Sequence, residues 1–200
     1  VLRRESQHQK DEARHIDYRD GGEAHPGTDP KEVVIGISPA FGVKLFQTTA
    51  NHRLSDVLAA MMEAIAARGL TPRIVRLRHT ADTSFLGLSA ARLAGSGVGI
   101  GIQAKGTTVI HQRDRLPHHN LELFSNAPIT RLEHYRGLGA NAAAYALGEM
   151  PEPVVVPTRG EAMGSRYHAR VAMIYAIETE MTSEGATPVD VAITFKGGAA

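Results

Sequence analysis

From Gly97 to Ile102 the chain reads Gly-Val-Gly-Ile-Gly-Ile, a strict alternation of glycine with β-branched residues. Side chains of a strand point alternately to its two faces. Val98, Ile100 and Ile102 therefore share one face, and Gly97, Gly99 and Gly101 leave the other bare. Glycine weakens a strand interior, and such a run marks close approach by a ligand or another backbone. Two occupants satisfy that demand: a helix of the same chain packed tightly on the strand, or a broad, flat partner.

A dinucleotide fingerprint needs a strand, then G-x-G-x-x-G/A, then a helix whose N-terminus faces the pyrophosphate. Gly99-x-Gly101-x-x-Ala104 satisfies the letters only. The residues that follow, Lys105 to Gln112, are rich in β-branched side chains and read as a second strand, so no helix N-terminus is available. The P-loop pattern is absent as well.

The flanking chain alternates strands and helices. Val33–Ile37 is a continuous apolar run suited to a buried strand. Leu54, Val57, Leu58, Met61 and Ile65 recur at helical spacing and Gly69 stops them. Arg73–Leu77 is the next strand, and Asp82, Thr83 and Ser84 cap a short helix running to Arg92. Strands over about Val98–Gln103 and Thr107–Gln112 follow, then a long loop. Thr130-x-x-Glu133 is a capping box opening a helix to about Glu149. Met150–Pro157 breaks the pattern, a last helix spans about Tyr167–Glu180, and the Pro188–Phe195 alternation closes the chain as a strand. This order predicts an α/β fold: a three-layer α/β/α domain over residues 31–149 with a mostly parallel mixed sheet. Residues 150–200 are expected as a C-terminal extension packed on that domain. Residues 1–30 are dense in charge, and Ile16 is the one large aliphatic residue after Leu2. Too little apolar surface is available there to offset ordering entropy, which predicts a disordered or loosely docked arm.

Composition narrows the function classes. The 200 residues carry a formal net charge of +1 with basic residues dispersed, which gives no basis for a nucleic-acid or membrane-surface partner. No cysteine is present, which excludes disulfides, thiolate metal sites and cysteine nucleophiles. No apolar run approaches ~18 residues and no secretory pattern opens the chain, so a cytoplasmic location is expected. Ten histidines raise a metal question, but no H-E-x-x-H occurs and His118 and His119 sit side by side in a loop. Ser89, Ser96 and Ser125 lack a G-x-S-x-G setting. No catalytic or metal-ligating residue is assigned, and these residues alone describe an α/β binding domain without a self-contained active site.

Five strings carry a resemblance: VVIGISPAFG, ADTSF, GSGVGIGIQAKGTTVIHQRD, LPHHNLELFSNAP and LEHYRGLGANAAAYA. In order, from about Glu32 to about Glu180, the chain resembles the medium subunits of coenzyme-B12-dependent diol and glycerol dehydratases. The resemblance implies a fold like that of anticodon-binding domains. It also implies a medium (β) subunit that covers the lower, nucleotide-loop side of adenosylcobalamin. The cofactor is shared with a large barrel subunit, which converts a 1,2-diol or glycerol to an aldehyde and water by radical chemistry. A small subunit completes a heterotrimer, two heterotrimers associate, and a reactivating factor exchanges the cofactor in the bacterial cytoplasm.

By the same resemblance Lys105 meets the nucleotide-loop phosphate, and Asp82 lies near the peripheral amides of the corrin. Asn120, Leu123 and Ser125 line the dimethylbenzimidazole base, and Tyr167 lies on a further contact segment. On this view the flat partner occupies the bare glycine face. No Asp-x-His-x-x-Gly motif is present, so base-on binding is expected. Gly164-Ser165-Arg166 stands where relatives carry arginine-proline before the tyrosine, and Val171 where they carry a hydroxyl. The N-terminal arm lacks the amphipathic stripe with which some relatives enter microcompartments. The competing reading is the small subunit of the reactivating factor, a chaperone-like component of the same fold that binds no cobalamin. It generally lacks the lysine-bearing segment, the LELFSNAP loop and the C-terminal extension, all of which this chain has.

Overall fold

The computed structural model describes residues 15–125, 127–156 and 165–196. The elements are β1 (His15–Glu23), β2 (Glu32–Ile37), α1 (Leu54–Ala67), β3 (Thr71–Arg76), α2 (Thr83–Leu93), β4 (Val98–Ile102), β5 (Thr108–Gln112), β6 (Glu122–Phe124), α3 (Leu132–Ala146), α4 (Ser165–Glu180) and β7 (Val189–Lys196). The strands form one sheet in the order β1-β7-β3-β2-β4-β5-β6.

Both faces of the centre of this sheet are covered, which explains the unbroken apolar run in β2. Val33, Ile35 and Ile37 share a core with Val98, Ile100 and Ile102, with Leu58 and Met61 of α1 and with Leu138 and Ala142 of α3. Val34 points to the opposite face, where it packs with Val75, Leu77 and the α2 residues Leu86, Ala90 and Leu93. Helices on both faces make three layers, as the element order predicts. The sheet is mixed rather than mostly parallel. Parallel pairing joins β2 to β3 and to β4, whereas β1–β7, β3–β7, β4–β5 and β5–β6 are antiparallel. Tight connections such as the β4–β5 turn permit only the antiparallel arrangement.

The bare glycine face is not left open for a flat partner; α2 covers it. A Cβ on Gly99 would stand 2.5 Å from the carbonyl carbon of Ala90 and 2.8 Å from its Cβ. One on Gly101 would stand 2.7 Å from the Cα of Gly87, and one on Gly36 of β2 would meet Leu77 Cδ1 at 2.6 Å. Gly36 pairs with Gly101 across the two strands, so glycines of the sheet face Gly87 and Ala90 of the helix and the backbones almost touch. Gly97 does not belong to the strand at all. Its φ of +81° makes it the turn into β4, a conformation that L side chains resist.

Of the arm expected over residues 1–30, residues 1–14 lie outside the described residues, and His15–Glu23 is a strand rather than a loose arm. It pairs antiparallel with β7 from His15 opposite Lys196 to Glu23 opposite Val189. Asp20 accepts hydrogen bonds from Arg76 Nε at 3.0 Å and from Arg78 Nη2. Tyr18 lies edge-on to Phe41 with ring centroids 6.3 Å apart. Ladder hydrogen bonds and arginine partners supplied by distant residues offset the ordering entropy that local apolar content does not. Burial pushes the Asp20 carboxyl up, but hydrogen bonds and charge from Arg76 and Arg78 outweigh it and hold the pKa below the ordinary aspartate value. A depressed carboxylate pKa contributes stability above the unfolded pKa, ~3.9, and loses it as pH falls through the folded value. The expected result is a melting temperature that declines below about pH 4, with a shallower decline in Asp20→Asn; equal slopes in a pH series of melts would refute it.

Two further local expectations are corrected. Thr130 and Glu133 do not form a capping box, because α3 begins one residue later. Arg131 is its N-cap, and its backbone N–H donates to His134 Nδ1 at 3.0 Å. Thr130 Oγ1 instead donates to the Ala127 carbonyl at 2.7 Å. The loop expected after β5 contains a short strand, β6, hydrogen-bonded to β5 through Glu122–Ile110 and Thr108–Phe124 pairs. Three residues are too few for periodicity to reveal.

Candidate functional site

The connection leaving β2 runs through α1 toward β3, and the one leaving β4 turns the other way to β5. Adjacent strands whose connections diverge open a crevice at their carboxyl ends, where α/β sheets commonly bind ligands. Lys105 lies at that edge, in the turn between β4 and β5. Gly106, with φ at +105°, gives the turn its shape, and the Tyr135 hydroxyl donates to the Gly106 carbonyl at 3.0 Å. Burial pushes the Tyr135 phenol up to about 12, so it remains a donor at neutral pH.

Lys105 itself is half-buried, and among the described residues no carboxylate approaches it within ion-pair distance. Burial lowers its pKa below the usual lysine value, and the charge of Asp82 works in the opposite direction. Desolvation without a paired anion leaves an ammonium under-compensated, a condition that an incoming anion relieves.

Asp82 reaches this neighbourhood because Gln103 Nε2 donates to the Ala81 carbonyl, tying the loop before α2 to the turn after β4. Its Oδ1 caps α2, accepting from Ser84 N at 2.9 Å and Phe85 N at 3.1 Å. Asp82 thus has a structural role in addition to any contact made by its second oxygen.

Cross-strand pairing places the β6 residues. Leu123 sits opposite Val109, so the two share a face. A Cβ on Gly87 would come 2.5 Å from Val109 Cγ2, which identifies that face as the one carrying α2. Leu123 extends beyond the helix and is 58% exposed. Ser125 follows Phe124, the partner of Thr108, and is therefore exposed at the same carboxyl edge as Lys105. Asn120 lies five residues earlier, so it is toward the other end of β6 and apart from the lysine turn. Its Oδ1 is buried without a hydrogen-bond partner among the described residues. Such an acceptor is costly to leave empty and calls for an N–H donor.

Tyr167 belongs to the first turn of α4, and its side chain lies outside the described residues, as do those of Ser165 and Arg166. The structure thus brings Lys105, Asp82 and Ser125 to one edge and extends the surface through Leu123 toward Asn120. Phe85 adds a residue that the sequence reading passed over. It is 44% exposed on the first turn of α2, edge-on to His118 with ring centroids 5.9 Å apart. Its place in the quoted ADTSF string was the available signal.

His111, by contrast, is structural. Wholly buried, it reaches the Leu116 and Pro117 carbonyls through Nε2 at 3.1 Å each and so pins the 113–119 loop. No group of three or more His, Asp or Glu side chains able to hold a metal occurs among the described residues. Among them also, no helix is long and apolar enough to cross a membrane.

Among the solved structures that resemble the chain are two reactivating proteins. One is a glycerol dehydratase reactivase, 18% identical with a TM-score of 0.49 over 66% of this chain and 97% of that one. The other is a diol dehydratase-reactivating factor complexed with ADP and Mg2+, 18% identical with a TM-score of 0.45 over 66% and 98%. The family model for the dehydratase medium subunit matches residues 38–152. That match spans the loop after β2, α2, the glycine strand, the lysine turn, β6 and α3. The chain belongs to the dehydratase medium subunit family, and as such is one subunit of a multi-subunit hydro-lyase.

Proposed function

We propose that this chain is the medium subunit of an adenosylcobalamin-dependent diol or glycerol dehydratase. In this role it closes the lower side of the cofactor with the surface that runs from Lys105 along α2 and β6. The observation that carries the reading is Lys105, a half-buried ammonium at the carboxyl edge without an ion-paired carboxylate among the described residues. When bound, adenosylcobalamin supplies the radical chemistry by which water is removed from the diol, and that chemistry proceeds on the large subunit.

The residues present fit such a group, at a place different from the glycine face. Lys105 would take the phosphodiester as a compact point charge. The second oxygen of Asp82 would accept from a peripheral amide, a charge-assisted contact. Leu123 and Phe85 supply exposed apolar surface, which an aromatic base can cover. The Ser125 hydroxyl supplies a polar contact to its rim, whereas the orphaned Asn120 Oδ1 is buried toward the other end of β6, away from that edge. These groups bind and orient; none is placed to move a proton or attack a bond, so the subunit is non-catalytic in this reading. Contacts from a single open face hold a large ligand weakly, because specific sites generally bury most of a ligand's surface.

Two measurements test the proposal. Adenosylcobalamin titrated into the isolated chain is expected to show little binding, and into the chain with its large and small subunits, saturable binding. A complex that binds the cofactor equally well without this chain would overturn the assignment. The purified chain alone, given cofactor and 1,2-propanediol or glycerol, is expected to form no aldehyde, and turnover in that assay would refute its non-catalytic role.

A further inference from the structure

Two charged side chains of α4 reach the loops that hold Lys105, although neither belongs to the surface just described. Glu178, 2% exposed, accepts from Ala40 N at 2.9 Å, from Ala104 N at 3.1 Å and from the Ser38 hydroxyl. It thereby joins the loop after β2 to the turn after β4. Arg170, about two helical turns earlier and near the same face of the helix, donates to Asn51 Oδ1 at 2.8 Å and to the Thr48 carbonyl at 3.1 Å. Thr49, between them, donates both its backbone N–H and its hydroxyl to the Lys105 carbonyl, each at 3.0 Å. The backbone is thus gripped at Ala104 N on one side of the lysine and at Lys105 O on the other. Both grips lead back to α4, one directly and one through Thr49. Asn51 takes a φ of +63°, an uncommon conformation for a side-chain-bearing residue, and Arg170 bonds to its side chain.

We infer that Arg170 and Glu178 are positioning residues that hold the Lys105 turn in register for an anionic group, so that these two side chains set the affinity of this site without touching its ligand. This rests on the reading of Lys105 given under the proposed function. A backbone anchored on both sides leaves the ammonium less freedom to lose on binding, and such preorganisation appears as affinity.

A double-mutant cycle in the reconstituted complex tests this, with half-saturation by adenosylcobalamin, turnover at saturation and melting temperature as readouts. Arg170→Ala is expected to raise the half-saturation concentration roughly 3- to 10-fold, with little change in saturated turnover. In a Lys105→Ala background the same substitution is expected to add almost nothing, because its effect passes through the lysine. Arg170→Lys, which keeps a donor on the Thr48 carbonyl, is expected to restore part of the affinity. An equal fold-increase in both backgrounds, or none in either, overturns the inference. Should Arg170→Ala fail to assemble, Thr49→Val removes one of the two bonds to the Lys105 carbonyl and is read in the same cycle. If Lys105→Ala by itself leaves half-saturation unchanged, the phosphate reading falls and this inference falls with it. If Lys105→Ala weakens binding and the cycle is additive, only the inference falls.

Discussion

Gly101→Val is expected to destabilise the chain severely, and Gly99→Val nearly as much. The added Cβ of either residue would lie well inside van der Waals distance of α2 backbone, 2.7 Å from Gly87 Cα for Gly101 and 2.5 Å from the Ala90 carbonyl carbon for Gly99. Backbone atoms of a packed helix cannot rotate away as a side-chain end can. Relief requires α2 to lift from β4, which would open the core formed by Leu86, Ala90 and Leu93 with Val34 and Val75. Overpacking typically costs ~1–3 kcal/mol and more where the backbone must move, so a loss of about 3 kcal/mol or greater is expected. For a chain of this size that corresponds to a fall in melting temperature of roughly 6–12 °C. Gly22→Ala is the control, since a Cβ there meets nothing within 4 Å. Thermal melting of the purified chain decides the matter. A normal melt combined with lost cofactor binding would return the glycine face to a bound partner and refute the packing account.

Lys105→Ala is expected to act on binding and to leave the fold nearly untouched. An ionised hydrogen-bond partner typically contributes ~1.5–3 kcal/mol. At ~1.4 kcal/mol per decade, the half-saturation concentration of adenosylcobalamin in the reconstituted complex should rise about 10- to 100-fold. Stability should hold because no carboxylate within ion-pair distance loses its partner among the described residues, and because burial already disfavours the ammonium. A change within ~0.5 kcal/mol is expected. Turnover at saturating cofactor should stay near wild type, since the side chain binds a permanent anion and takes no part in bond cleavage. Lys105→Arg keeps the charge but replaces a point donor with a planar fork, so partial recovery is expected. An unchanged half-saturation concentration in Lys105→Ala would refute the phosphate contact, whatever the melting behaviour.

Much of the fold was legible in the residues because it is written in periods of 2 and 3.6. The alternation in Val98–Ile102, the continuous run in β2 and the helical spacing from Leu54 to Ile65 depend only on which faces are buried. Caps were legible where the side chain acts within its own turn, as Asp82 does on Ser84 and Phe85. Strings such as GSGVGIGIQAKGTTVIHQRD and LELFSNAP also identify the family, and the match over residues 38–152 bears that out. What stayed hidden depends on partners far away in the chain. The charge-rich residues of β1 look incapable of order until Arg76, Arg78 and β7 are beside them. The resemblance put a flat partner on the glycine face, and nothing in the residues corrected it, because period two says that a face is bare and nothing about what lies on it. Helix α2 proved to cover it, since Gly87, Ala90 and Ala91 offer an equally bare helical surface to Gly36, Gly99 and Gly101. Lys105 was recognisable as a residue of a turn, but its half-buried setting and the grip of Thr49, Glu178 and Arg170 arise from segments 55 to 75 positions away. A one-dimensional pattern encodes local geometry and the side to be buried; the identity of the neighbour, and with it the electrostatics of the site, is settled only when the layers close.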